Sequence, residues 1–117
     1  MRKYYILFIM ISILCSQIYA LNFYNYPNPF REKTTFKIEL NDTDIKLLKI
    51  EIYDENGYKV WSFQKNNNFT SPLAIEWEGK DEKGKQLKAG VYIAKLRIEY
   101  KGKTEERVIK VALIKGY

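Results

Sequence analysis

Beyond residue 20 the apolar and polar residues alternate with a period of two, and this constrains the fold more than any other feature of the chain. Thr35-Phe36-Lys37-Ile38-Glu39-Leu40 puts Phe36, Ile38 and Leu40 on one face. Leu48, Ile50 and Ile52 do the same, with Lys49 and Glu51 turned the other way. Successive side chains of an extended chain point to opposite sides, so such runs are half-buried strands. Asp54-Glu55-Asn56-Gly57 supplies a turn, because Asn and Gly tolerate the positive φ that tight hairpins need, and Tyr58–Gln64 returns through Val60, Trp61 and Phe63. A polar loop from Asn66 to Pro72 leads to a short strand with Leu73, Ile75 and Trp77 on one side. Residues 78–90 are charged and carry three glycines, which predicts a long exposed connection. Tyr92, Ala94, Leu96, Ile98 and Tyr100 alternate next, Lys101-Gly102 turns, and Ile109, Val111 and Leu113 close the series. With Asn22–Tyr26 as an edge strand, about seven short strands follow one another with turn signals between them and no helical spacing anywhere. That pattern predicts an all-β, antiparallel sandwich.

The first twenty residues read differently. Arg2 and Lys3 precede an apolar run from Tyr4 to Cys15, and Ser16, Gln17 and a small Ala20 follow. A basic start, an apolar centre and a small final residue describe a secretory signal peptide. The apolar run is roughly 12 residues, short of the roughly 20 that span a bilayer. Leu14 stands where a lipoprotein signal needs a small residue before Cys15. The expected division is therefore residues 1–20 as a cleaved leader and residues 21–117 as one β-sandwich domain.

Cleavage sharpens the chemistry. The whole chain has one cysteine, two methionines and no histidine. Cys15, Met1 and Met10 all lie in the leader, so the remaining domain of about 97 residues has room for one modest core and has neither thiol nor imidazole. Disulfides, a cysteine nucleophile, a histidine base and the usual zinc and copper ligands are excluded. Of the serines beyond the leader, Ser62 lies in an alternating strand and Ser71 beside Pro72, and neither has a nucleophile-elbow context. The carboxylates are scattered singly along strands, so spacing proposes no acid–base pair. Neither catalytic residues nor a cofactor is expected. Glu78, Asp81 and Glu82 with nearby carbonyls are the one oxygen-ligand combination open to calcium. Their spacing is not that of an EF-hand, however, and Lys80, Lys83 and Lys85 oppose the field. A side-chain–backbone turn at Asp81 is the expected role. The net charge of +6 reflects lysines on outward strand positions interleaved with glutamates, as on the solvent face of a sheet. A nucleic-acid surface would cluster its basic residues without acids between them, so neither nucleic acid nor a small-molecule substrate is expected as a partner.

Three stretches are more specific. Tyr26-Pro27-Asn28-Pro29-Phe30 precedes Thr34-Thr35-Phe36, and its prolines rule out a central strand, so Tyr26 and Phe30 are expected to tuck against the end of the sandwich. Ile52-Tyr53-Asp54-Glu55-Asn56-Gly57-Tyr58-Lys59-Val60 forms a strand–turn–strand. Trp77-Glu78-Gly79-Lys80-Asp81-Glu82-Lys83-Gly84-Lys85 leads on to Ala89-Gly90-Val91-Tyr92. Trp77 alternates with Leu73 and Ile75 and reads as a core anchor, and Gly90 as a point where the backbone bends into the next strand.

In that order, across residues 24–115, these stretches resemble the FlgD-like Ig-type β-sandwich. They also resemble the related C-terminal sorting domains carried by cargo of the type IX secretion system. The resemblance implies an Ig-like sandwich that works by binding protein partners of a secretion or assembly machinery and meets a membrane only through them. It implies an exported protein, whether periplasmic, at the cell surface or extracellular. It marks Pro27, Asn28, Pro29, Gly90, Tyr92 and Lys115 as candidate recognition residues, and Trp77, Gly79, Asp81 and Gly84 as structural ones. The alternative it carries is a structural or adhesive assembly module without sorting activity. A leader plus one targeting-like domain would account for the whole length, either as a minimal exported protein or as the remnant of a longer cargo.

Overall fold

The computed structural model describes residues 21–40, 44–66 and 71–114. The expected leader and Lys115 lie outside these residues. Seven strands follow in order: β1 (Asn22–Tyr26), β2 (Thr34–Glu39), β3 (Ile45–Tyr53), β4 (Lys59–Asn66), β5 (Leu73–Trp77), β6 (Gly90–Tyr100) and β7 (Lys103–Leu113). They form a three-stranded sheet ordered β1-β2-β5 and a four-stranded sheet ordered β4-β3-β6-β7. Every pairing between these strands is antiparallel. The all-β sandwich anticipated from the alternation is the fold observed.

The inward faces are the ones that the period of two selects. Phe36 and Ile38 of β2, Leu48, Ile50 and Ile52 of β3, and Ala94, Leu96 and Ile98 of β6 are fully buried. Register follows from this, since a slip by one residue would turn each of these sets to solvent. Each buried Leu, Ile or Phe contributes roughly 1.5–3 kcal/mol by leaving water, more than the surface ion pairs can. At one end the core becomes aromatic around Trp77. Its ring centroid lies 5.5 Å from Phe30, 6.2 Å from Trp61 and 5.8 Å edge-on from Tyr92. Its indole N–H donates to the Lys80 carbonyl at 2.9 Å, so burial of the ring strands no polar atom.

Two expectations are corrected. Phe30 is buried, but Tyr26 is 74% exposed. The reason is parity: Tyr26 is the last residue of an edge strand in which Phe23 and Asn25 face inward and Asn22, Tyr24 and Tyr26 face out. Residues 78–90 are not simply an exposed connection either. Gly79 is buried beneath Leu113, Leu87 packs against the core with its N–H donating to the Gly79 carbonyl at 3.0 Å, and Glu82 folds back onto the edge of β4.

Candidate functional site

The recognition candidates of the first motif lie along the outer edge of β7. Both X-Pro bonds, Tyr26-Pro27 and Asn28-Pro29, are cis, and Pro27 and Pro29 are exposed. Asn28 between them turns its amide onto the last strand. Its Oδ1 accepts from the Ala112 N–H at 3.0 Å, and its Nδ2 donates to the Lys110 carbonyl at 3.0 Å. A single side chain thus supplies the acceptor and donor that a neighbouring strand would offer. One residue further on, the main chain takes over. The Phe30 N–H donates to the Ala112 carbonyl at 2.9 Å and the Ile114 N–H to the Phe30 carbonyl at 2.7 Å, a parallel bridge of Phe30 with Leu113.

This arrangement is fastened from behind. Asn28 Nδ2 also donates to Asn25 Oδ1 at 3.2 Å, Asn25 Nδ2 donates to Thr34 Oγ1 at 3.0 Å, and the Thr34 hydroxyl donates to the Pro27 carbonyl at 2.8 Å. Thr34 is the one fully buried polar side chain among the described residues, and these bonds satisfy it.

Gly90 and Tyr92 approach the same strand end from the opposite side. Gly90 pairs with Leu113 and Tyr92 with Val111 in the β6–β7 ladder. The two candidate motifs, far apart in sequence, therefore flank one segment, Lys110–Ile114. Leu113 is 2% exposed, and its side chain closes over Gly79, where an added Cβ would meet Leu113 Cδ2 at 3.2 Å. Tyr92 is itself core: its ring packs edge-on against Trp77 and its hydroxyl donates to the Lys88 carbonyl. Burial, with Asp54 and Glu55 adding to it, raises its phenol above the ordinary tyrosine range. A cleft of about 380 Å³ opens beside it, between the turn at Asp54–Asn56 and residues 85–91.

Asp81 takes the role expected for it. Its Oδ1 accepts from the Lys83 and Lys85 N–H groups at 2.9 and 2.8 Å. The turn after β3 is built identically, with Asp54 Oδ1 accepting from Asn56 and Tyr58 at 2.9 Å. In both, the backbone closes between the aspartate and the residue four places on (Asp54 to Tyr58, Asp81 to Lys85). In both, a glycine follows three places after the aspartate with φ of 86° or 83°, a left-handed conformation that costs other residues energy. Asp-Glu-x-Gly occurs twice because one turn is used twice. With Asp81 so engaged, Glu82 bonded to Ser62 and Glu78 paired with Lys80 at 3.1 Å, no group of three potential metal ligands gathers among the described residues.

Glu82 has a function that the sequence reading missed. Its Oε1 accepts from the Ser62 N–H at 2.6 Å and the Ser62 hydroxyl at 2.8 Å, and its own N–H donates to the Val60 carbonyl at 3.1 Å. β4 is the other edge of the four-stranded sheet. Both edges are thus capped by side chains that imitate a strand, Asn28 at β7 and Glu82 at β4. Uncapped edges invite pairing with other chains.

The fold is a seven-strand antiparallel sandwich whose last strand is closed along its outer edge by the Pro27–Phe30 segment. Over residues 21–112 the chain matches the family model described as the CHU_C type IX secretion signal domain, and it belongs to that family. No curated protein matches it. Among solved structures it is similar to the crystal structure of dimeric latent PorU from Porphyromonas gingivalis, at 24% identity and a TM-score of 0.70, over 83% of this chain and 9% of that one. It is also similar to PorZ, described as an essential bacterial surface component of the type IX secretion system of the same organism, at 21% identity and a TM-score of 0.52, over 80% of this chain and 12% of that one. These likenesses establish a shared fold, and this chain spans about a tenth of the length of each of those proteins.

Proposed function

We propose that residues 21–117 act as a non-catalytic sorting domain that the outer-membrane machinery of type IX secretion recognises after residues 1–20 have delivered the chain to the periplasm and been removed. The observation that carries this reading is the family match, which runs across the entire sandwich rather than one motif of it. Recognition proceeds by binding: a rigid domain presents its last strand and the residues beyond it. In this reading Pro27 and Pro29 offer exposed apolar surface beside that strand, and Gly90 and Tyr92 set its position from within the sheet. Lys115 supplies a charge for the partner to read.

The test is a reporter carrying the leader at its start and residues 21–117 at its C-terminus, expressed in a host with a working type IX system. Reporter activity is expected outside the cells, and retention in the periplasm is expected once residues 115–117 are deleted. A full-length fusion that stays in the periplasm would overturn the proposal, as would a truncated one exported equally well. Mass spectrometry of the mature N-terminus checks the leader, with a start at Leu21 expected.

A further inference from the structure

We infer that Asn28 is a positioning residue for the C-terminal end of the domain, acting through β7 rather than by touching an export partner. This inference rests on the sorting reading and adds to it how one half of the signal controls the other.

The geometry carries the argument. Along Lys110–Leu113 one side of β7 is paired with β6. On the other side the Asn28 side chain holds Lys110 O and Ala112 N, and the Phe30 main chain holds Ala112 O and Ile114 N. These bonds hold the outer side of β7 as far as Ile114, the residue before Lys115. Asn suits the task better than its neighbours in size and charge. Aspartate offers Oδ1 to Ala112 but no donor for Lys110, and serine or threonine has one oxygen where two separate atoms are required. The flanking cis prolines have no N–H to donate, and the side chain does the pairing that the main chain cannot. Three of the six candidate recognition residues, Asn28, Gly90 and Tyr92, thereby act on a single object, the last turnless stretch of β7 before Lys115.

Two measurements on the full mature chain decide it. Asn28→Ala is expected to speed hydrogen exchange of the Ala112 and Ile114 amides on the order of tenfold, leaving the Leu96 and Ile98 amides, deep in the same sheet, at wild-type rates. Asn28→Asp is expected to keep more protection at Ala112 than the alanine variant, because Oδ1 is retained. In the reporter assay Asn28→Ala is expected to lower export several-fold, whereas Glu82→Ala, which weakens the opposite edge of the sheet, leaves export unchanged. Wild-type exchange at Ala112 and Ile114 in Asn28→Ala overturns the inference. So does faster exchange with undiminished export, or an equal loss of export in Glu82→Ala. A wild-type domain that is not exported at all instead overturns the sorting reading and the positioning role with it, and the exchange data then show separately whether the Asn28 clamp exists.

Discussion

Gly79 and Gly84 have similar left-handed φ, 70° and 83°, yet the structure separates them sharply, and substituting each by alanine measures how tightly the end of β7 is packed. At Gly84 an added Cβ meets nothing within 4 Å. Gly84→Ala therefore carries only the backbone cost of a left-handed L-residue, about 1–2 kcal/mol. Restriction of the unfolded chain offsets it by about 0.4–1 kcal/mol. At Gly79 the same Cβ lies 3.2 and 3.3 Å from the two Leu113 methyls and 3.3 Å from Gln86 Nε2. Neither neighbour yields easily. Leu113 is almost fully buried, and Gln86 Nε2 is tied to the Gly79 carbonyl at 2.8 Å. Overpacking of this kind adds about 1–3 kcal/mol. For a domain of this size, 1 kcal/mol corresponds to about 4–8 °C in Tm. At mid-range values Gly84→Ala is thus expected to lower Tm by about 3–6 °C and Gly79→Ala by roughly 10–20 °C, read by scanning calorimetry or by circular dichroism. Leu113→Ala should remove the crowding, so that the Gly79→Ala/Leu113→Ala double variant is less destabilised than the sum of its parts. Equal Tm losses at the two glycines, or strict additivity with Leu113→Ala, would refute the packing argument.

Three further outcomes are expected. Glu82→Ala should destabilise the domain by about 1–2 kcal/mol in denaturant titrations and promote association at high concentration through the opened edge of β4, visible by light scattering; Glu82→Gln, which keeps an acceptor for Ser62, should do neither to the same extent. Tyr92 has a phenol raised by burial and by Asp54 and Glu55, so its stabilising contribution is complete below pH 10 and lost as pH rises through the folded-state value. Ultraviolet titration should accordingly show a late-ionising tyrosine that Tyr92→Phe removes. Lys95 and Glu106 are joined at 2.9 Å, and their hydrogen bond is the leading cause of both shifts, raising the lysine above 10.5 and lowering the carboxyl below 4.5. The pair's contribution, small because both groups are solvent-exposed, should therefore fade as pH falls below 4.5 and again as it rises above 10.5, and Glu106→Gln should flatten both limbs.

The strands and the core were readable because alternation is a local property. Phe36, Ile38, Leu48, Ile50, Ile52, Leu96 and Ile98 declare their face by parity alone, and all of them are buried. Which edges meet is a different kind of information. Asn28 bonds to residues more than eighty positions away and Glu82 to a serine twenty positions back, and nothing in the local pattern of either stretch names its partner. The outward Tyr26 shows the limit from the other side. A motif rich in aromatics and prolines suggests burial of both Tyr26 and Phe30, while the parity of β1 sends Tyr26 out and only Phe30, beyond the strand and bridged to Leu113, is buried. Asp-Glu-x-Gly is written twice in the sequence, but nothing local to its second copy says that Glu82 docks on β4.

The parallel bridge between Phe30 and Leu113 also has a mechanical meaning. Tension drawn through residue 21 would unzip β1 from β2 one pair at a time, beginning at Asn22 and Glu39, since an antiparallel hairpin pulled at its open end yields sequentially. On reaching Asn28 the load changes character. The bonds to Lys110, Ala112 and Ile114 run across the line of pull and must fail together. A load applied at residue 21 is thus taken up first by β1 and β2, and the end of β7, on the far side of that fastening, keeps its shape until those bonds fail.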